Sequence, residues 1–149
     1  GAAAYAEGQE DPDILRDKAG TIARLWARVD LEAAADWSLS LTDEEAKRRA
    51  IHDVAREWLD HNTEAASVWI SALEPGSARD GAVRSLVNEV YRSDPEAALT
   101  WAATIENERD RRRATRRAIR NLKGDDPARA SELVNNSALN AEEKEALLK

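Results

Sequence analysis

The sequence has no cysteine, no methionine and no phenylalanine, and only 4 prolines and 6 glycines among 149 residues. Lacking cysteine, it has no disulfide, no thiolate nucleophile and no Cys-ligated zinc, and its redox compartment stays open. No apolar run approaches the roughly 18 residues of a membrane-spanning helix, so membrane insertion is not expected. Excess positive charge is missing as well. The formal net charge is −7, whereas a general nucleic-acid binder or a protein held to an anionic membrane is usually basic. Catalytic signatures are equally scarce: the 2 histidines have no partnered nucleophile, and neither G-x-S-x-G nor H-E-x-x-H occurs. The chain therefore reads as non-catalytic, with no cofactor implied and no localisation indicated. Pro75-Gly76 is a turn and not a phosphate loop. The missing initiator and the opening GAAAY suggest a piece of a longer chain, and AAAY at 2–5 stands in register with AADW at 34–37.

What the chain does have is a phrase written three times. EAAADWSLSL begins at residue 32, EAASVWISAL at 64 and EAALTWAATI at 96, an interval of thirty-two residues. Trp37, Trp69 and Trp101 align, followed by Leu41, Leu73 and Ile105. So do Trp26, Trp58, Val90 and Leu122, and Ala50, Ala82, Ala114 and Ala146. A fixed period of this length marks stacked repeats. Asp30, Asn62, Asp94 and Asp126 also align, and each is a good helix N-cap. Pro95 and Pro127 follow two of them, where no helical donor is needed. Glu32, Glu64 and Glu96 then complement the positive end of the helix dipole.

Each unit thus reads as two helices. The first, helix A, starts near 31, 63, 95 and 127, runs about twelve residues, and is Ala- and Ser-rich nearly all round, as suits a helix between neighbours. The second, helix B, starts at the capping-box pattern Thr42-x-x-Glu45, at Ser77 and at Asn107. In it Ala50, Val54 and Trp58 recur at i, i+4 and i+8, a helical stripe. No segment alternates with period two. The fold expected is all-α: a right-handed α-α superhelix, or solenoid, of about four helical hairpins in one domain over 1–149. Its units lie near 1–30 (partial), 31–62, 63–94, 95–126 and 127–149 (partial). One hairpin cannot offset its ordering cost of roughly 1.5 kcal/mol per residue alone, so stacking is required. Trp26, Trp37, Trp58, Trp69 and Trp101 are expected at the seams.

The pattern D-P-x-A-A-x-x-W-A-x-x-I at 94–105 resembles the tetratricopeptide class of α-solenoid, in which a Trp follows the unit's Pro by six residues, as Trp101 follows Pro95. The likeness covers residues 30 to about 139, although that class repeats at about 34 residues and its helix-A Gly and Tyr have no counterpart here. RDGAVRSLV at 79–87 is similar to the second half of a HEAT-type unit, and the whole resembles Ala- and Trp-rich helical repeats of bacterial proteins. Such resemblance implies a scaffold that binds a protein or peptide along its surface.

Helix B holds the candidate contact surface. Arg48, His52 and Arg56 lie at i, i+4 and i+8, one period before Arg84 and two before Arg112, Arg116 and Arg120. Arg16 and Arg24 extend the row backwards, and Arg109, Arg111, Arg113, Arg117 and Lys123 thicken it at 108–123. Stacked side by side they would form a basic band for an acidic protein or peptide, since Arg presents a planar donor fork to carboxylates and phosphates. The plainer reading is a solvated face, paired with Asp53, Glu57, Glu89 and the helix-A glutamates at roughly 0–1 kcal/mol each. Nucleic acid is disfavoured for want of interleaved exposed aromatics. Asp53, Glu57 and His61 share a metal-like spacing, but nothing completes the coordination sphere, and Asn135-Asn136-Ser137 matches a glycosylation acceptor only as a three-letter pattern. A spacer, or self-association through open ends of the array, is the competing structural reading.

Overall fold

Every thirty-two residues, one Asp or Asn bonds back to the last turn of one helix and caps the next. In the computed structural model, which describes residues 12–149, the backbone N–H groups of Asp30, Asn62, Asp94 and Asp126 donate to the carbonyls of Trp26, Trp58, Val90 and Leu122 at 2.7–2.8 Å. The side-chain oxygen of each accepts the N–H three residues further on at 3.0 Å. Their φ values lie between −144° and −157°, and at Asn62 and Asp126 the chain leaves the helical path for that single residue. Asp and Asn suit this position because their side chains are short enough to reach the free amides of the first turn.

Nine α-helices and no strand occur among the described residues: α1 Pro12–Ala27, α2 Leu31–Ser40, α3 Glu44–His61, α4 Thr63–Ser71, α5 Ser77–Val90, α6 Pro95–Ala102, α7 Glu108–Asp125, α8 Pro127–Asn136 and α9 Ala141–Leu148. The all-α expectation holds, and the short helices α2, α4, α6 and α8 begin at the residues the repeat indicated. They have only 8–10 residues, fewer than the expected twelve. At or just past the end of each, Ser40, Ser71, Thr104 and Ser137 donate their hydroxyls to the carbonyl three residues back at 2.6–2.7 Å. That local bond competes with helix continuation. The AAAY segment at 2–5 lies outside the described residues.

The long helices begin less uniformly. Asp43, not Thr42, caps α3, its carboxylate accepting from the Ala46 amide at 3.0 Å. The capping box fails because Glu45 is held by Arg48 and Arg49 at 2.6 and 3.0 Å. Gly76 precedes α5 with φ +147°, a conformation open to glycine and strained for other residues. Asn107 caps α7 and Asn140 caps α9.

The chain divides into two compact units at Ala82–Val83, inside α5. In the first unit α1 packs along α3, with α2 against both and α4 against α3. Ala19, Ala23 and Ala27 are buried, and a Cβ at Gly20 would collide with the Asp53 carboxylate. Small side chains on α1 thus permit the close approach. The rings of Trp26 and Trp37 lie 5.8 Å apart between centroids, and those of Trp58 and Trp69 stack at 5.4 Å. Each pair joins the end of a long helix to the short helix after it. Trp37 is buried, and its Nε1 has no hydrogen-bond partner among the described residues, so it contributes by packing alone. In the second unit α6 and α8 pack against α7, and α9 rests on α8 and α7. Leu86, Val87, Leu99, Ile105, Ile119 and Val134 fill its core.

Trp37→Ala is expected to cost roughly 3–5 kcal/mol in urea unfolding, and Trp69→Ala less because Trp69 is only half-buried. A second prediction concerns Asp53. Burial pushes its carboxyl up against the opposing charges of His52, Arg24 and Arg56. The folded chain holds this proton more tightly than the unfolded one, so the contribution to stability is full at low pH and falls as pH rises through the raised value. Asp53→Asn should therefore be more stable than the parent at pH 7, with the gain gone by about pH 3, in denaturant melts at both values.

Candidate functional site

The buried face of α7 is made by Ala114, Thr115, Ala118 and Ile119. On another face Arg113, Arg116, Arg117 and Arg120 fall at i, i+3, i+4 and i+7, the spacing that keeps side chains together on a 3.6-residue helix. With Arg84 from α5 they line a cleft of about 290 Å³ in the second unit, whose remaining wall is Val87, Asn88 and Ala114. Arg84 Nη1 lies 3.5 Å from Asp110 Oδ1. Among the described residues no ion pair engages Arg113, Arg116, Arg117 or Arg120. Guanidiniums gathered this way repel one another, and an anion entering the cleft relieves that repulsion.

Tyr91 stands beside the cleft. Arg92 and Arg117 place their guanidinium carbons 5.5 and 5.9 Å from its ring centroid, within cation–π range. Arg92 Nε donates to the phenol oxygen at 2.9 Å. That bond lowers the pKa of the Tyr91 phenol from its ordinary value, outweighing desolvation, and the charges of Arg92, Arg117 and Arg120 add to it.

The residues singled out from the sequence separate into distinct settings. Arg48, His52 and Arg56 stand on α3 in the first unit, while Arg84, Arg112, Arg116 and Arg120 belong to the second. Arg48 is engaged by Glu45 through Nε at 3.0 Å and Nη2 at 2.6 Å. Arg48 first, then Arg49, lower the Glu45 carboxyl to about 2. His52 is half-buried and Arg56 exposed. Arg112 turns to Glu108 at 2.7 Å and Glu142 at 3.5 Å and does not line the cleft. Arg16 is taken by Asp43 and Asp13. Lys123 donates to the Leu147 carbonyl at 2.9 Å, so it ties α7 to α9. An i, i+4, i+8 row drifts around a helix by about 40° at every step. Arg113 and Arg117 were legible as members of the straighter i, i+3, i+4, i+7 set.

Other candidates are weaker. His61 Nε2 approaches Glu57 at 3.6 Å, but Asp53 lies over Gly20, and among the described residues no group of His, Asp or Glu side chains is disposed to hold a metal ion. Ser137 of the Asn-Asn-Ser tripeptide closes the end of α8. A second cleft of about 260 Å³ between α6 and α8 contains Arg129, but Glu96 and Glu132 pair with it at 2.9 and 3.2 Å. No described helix is long and apolar enough to cross a membrane. Comparison with protein-family models, with curated proteins and with solved structures finds no match to this chain. The reading of the arginine cleft therefore rests on its own chemistry.

Arg111 shows the other use of the basic helix. Its Nη2 donates to Glu143 Oε1 at 2.8 Å and its Nε to Oε2 at 3.1 Å, while Nη1 reaches the carbonyls of Ile105 and Glu106 at 3.0 and 3.1 Å. Glu143 is 4% exposed and one repeat away from Arg111. The hydrogen bond from Arg111, and then its charge, hold the Glu143 carboxyl below the usual range against burial. A depressed carboxyl stabilises above the ordinary glutamate range, and its contribution is lost as pH falls through the lowered value. Arg111→Ala should speed hydrogen exchange of the α9 amides on the order of 100-fold at pH 7, with little change in α6. Acidifying the parent below the ordinary glutamate range should expose the same helix.

Proposed function

We propose that the chain is a non-catalytic interaction module of α-solenoid type, and that it binds an acidic segment of a protein partner in the cleft between α5 and α7. Each thirty-two-residue unit would be one helical hairpin, as in the tetratricopeptide and HEAT classes it resembles. The observation that carries the functional reading is the concentration of Arg113, Arg116, Arg117 and Arg120 on one wall, without an ion-pair partner among the described residues, in a chain of net charge −7. Elsewhere in the second unit Arg111, Arg112 and Arg129 have carboxylates beside them. Arg fits this role because its fork meets a carboxylate bidentately, and a charge-assisted bond is roughly twice as strong as a neutral one. Val87 and Ala114, almost wholly buried, close the floor of the cleft, and the carbon stems of its arginines can pack against the stem of a Glu side chain.

A labelled oligoglutamate peptide in low salt tests the proposal by fluorescence anisotropy. Arg116→Glu with Arg120→Glu should weaken binding by at least about 10-fold. The charge-matched pair Arg109→Glu with Lys149→Glu, outside the cleft, should leave it nearly unchanged. Equal loss in both variants would reduce the effect to net charge. Absence of binding in the parent would return the module to the spacer or self-assembly reading.

A further inference from the structure

The arginine cleft has more positive charge than a carboxylate needs. One carboxylate carries a single charge on two oxygens and is satisfied by one guanidinium fork, whereas five guanidiniums converge here on about 290 Å³. Among anionic groups small enough for that volume, a phosphomonoester matches the excess. It carries about −1.5 to −2 charges near neutral pH and offers three strongly accepting oxygens to several forks at once. Every cationic residue lining the cleft is Arg and none is Lys, which favours a tetrahedral oxyanion held by planar forks over a diffuse point-charge contact.

The uncharged wall points the same way. Val87 and Ala114, almost wholly buried, form the floor of the cleft, and the carbon stems of the arginines supply its exposed apolar wall. That surface suits the short carbon link of a phosphoserine or phosphothreonine. Exposed Asn88 has both a donor and an acceptor for the backbone of the same segment. A nucleic-acid strand needs a groove running past several nucleotides and open aromatic faces on which bases stack. The aromatic beside this cleft, Tyr91, has Arg92 and Arg117 over its ring at 5.5 and 5.9 Å.

Building on the acidic-segment reading, we propose that the cleft recognises a phosphorylated serine or threonine in that segment, with Arg113, Arg116, Arg117 and Arg120 around the phosphoryl group. Arg84 then has a choice between Asp110, 3.5 Å away, and the ligand. Because the second phosphate ionisation lies near pH 6, affinity should fall as pH drops through about 6, while arginine stays charged throughout.

The test uses three labelled peptides in fluorescence anisotropy, alike but for a central phosphoserine, serine or glutamate between flanking glutamates. The phosphoserine peptide should bind at least about 10-fold tighter than the glutamate one at pH 7.5, and lose most of that margin at about pH 5. Arg116→Lys with Arg120→Lys, which keeps the charge and removes the forks, should erase the margin, with circular dichroism showing an unchanged fold. Equal binding of the phosphoserine and glutamate peptides overturns this inference and leaves the acidic-segment reading standing. If no peptide binds, both fail. Displacement by inorganic phosphate at the peptide's own concentration would also overturn the inference, since the anion alone would suffice. Tighter binding of an oligothymidylate would replace the peptide with single-stranded nucleic acid.

Discussion

A single Asx residue at each junction is the constraint on which the rest of the structure depends. Its backbone amide donates to a carbonyl in the last turn of a long helix at 2.7–2.8 Å, and its side chain accepts from a free amide of the next helix at 3.0 Å. At Asn62 and Asp126 it is the only residue between the two helices, whereas two more residues precede it at Asp30 and three at Asp94. The carbonyl it engages belongs to the aligned position of Trp26, Trp58, Val90 and Leu122. Where both aligned positions are Trp, the junction sets the ring of the long helix against the ring of the short one, at 5.8 and 5.4 Å. Local hydrogen bonding thus brings together paired rings, of which Trp37 is buried and Trp26, Trp58 and Trp69 are half-buried.

The connections from short helix to long helix follow a looser rule. Asp43 and Asn107 occupy equivalent positions as caps, Pro75 takes the same place before Gly76, and Asn140 caps one residue later. Hydroxyl groups that bond back to the preceding turn stop the short helices early. The variation is tolerated because these connections need only return the chain, whereas two of the Asx junctions also set paired Trp rings against each other.

Basic residues on α7 divide by where an acceptor is available. Arg111 faces the start of α9 and the end of the preceding loop, and it finds a buried carboxylate and two carbonyls. Arg112, next along, reaches Glu108 and Glu142. Arg113, Arg116, Arg117 and Arg120 turn to the side where α5 presents Arg84, Val87 and Asn88 instead of acids. Identical side chains on one helix therefore differ in their ion pairing through rotation by a fraction of a turn.

Helical class, the four junctions and the start of every short helix were legible in the sequence, because capping and the 3.6-residue period are local properties of consecutive residues. The failure of the Thr42 box was less legible: Asp43 is the adjacent competitor, and Glu45 is drawn away by arginines further along the same helix. The roles of the arginines lay beyond local reading. Whether Arg112 or Arg113 meets a carboxylate depends on which helix lies opposite and how α7 is rotated against it. Packing decided that, because an ion pair needs its partner within a few ångströms and the partner of Arg111 is a full repeat away in the chain.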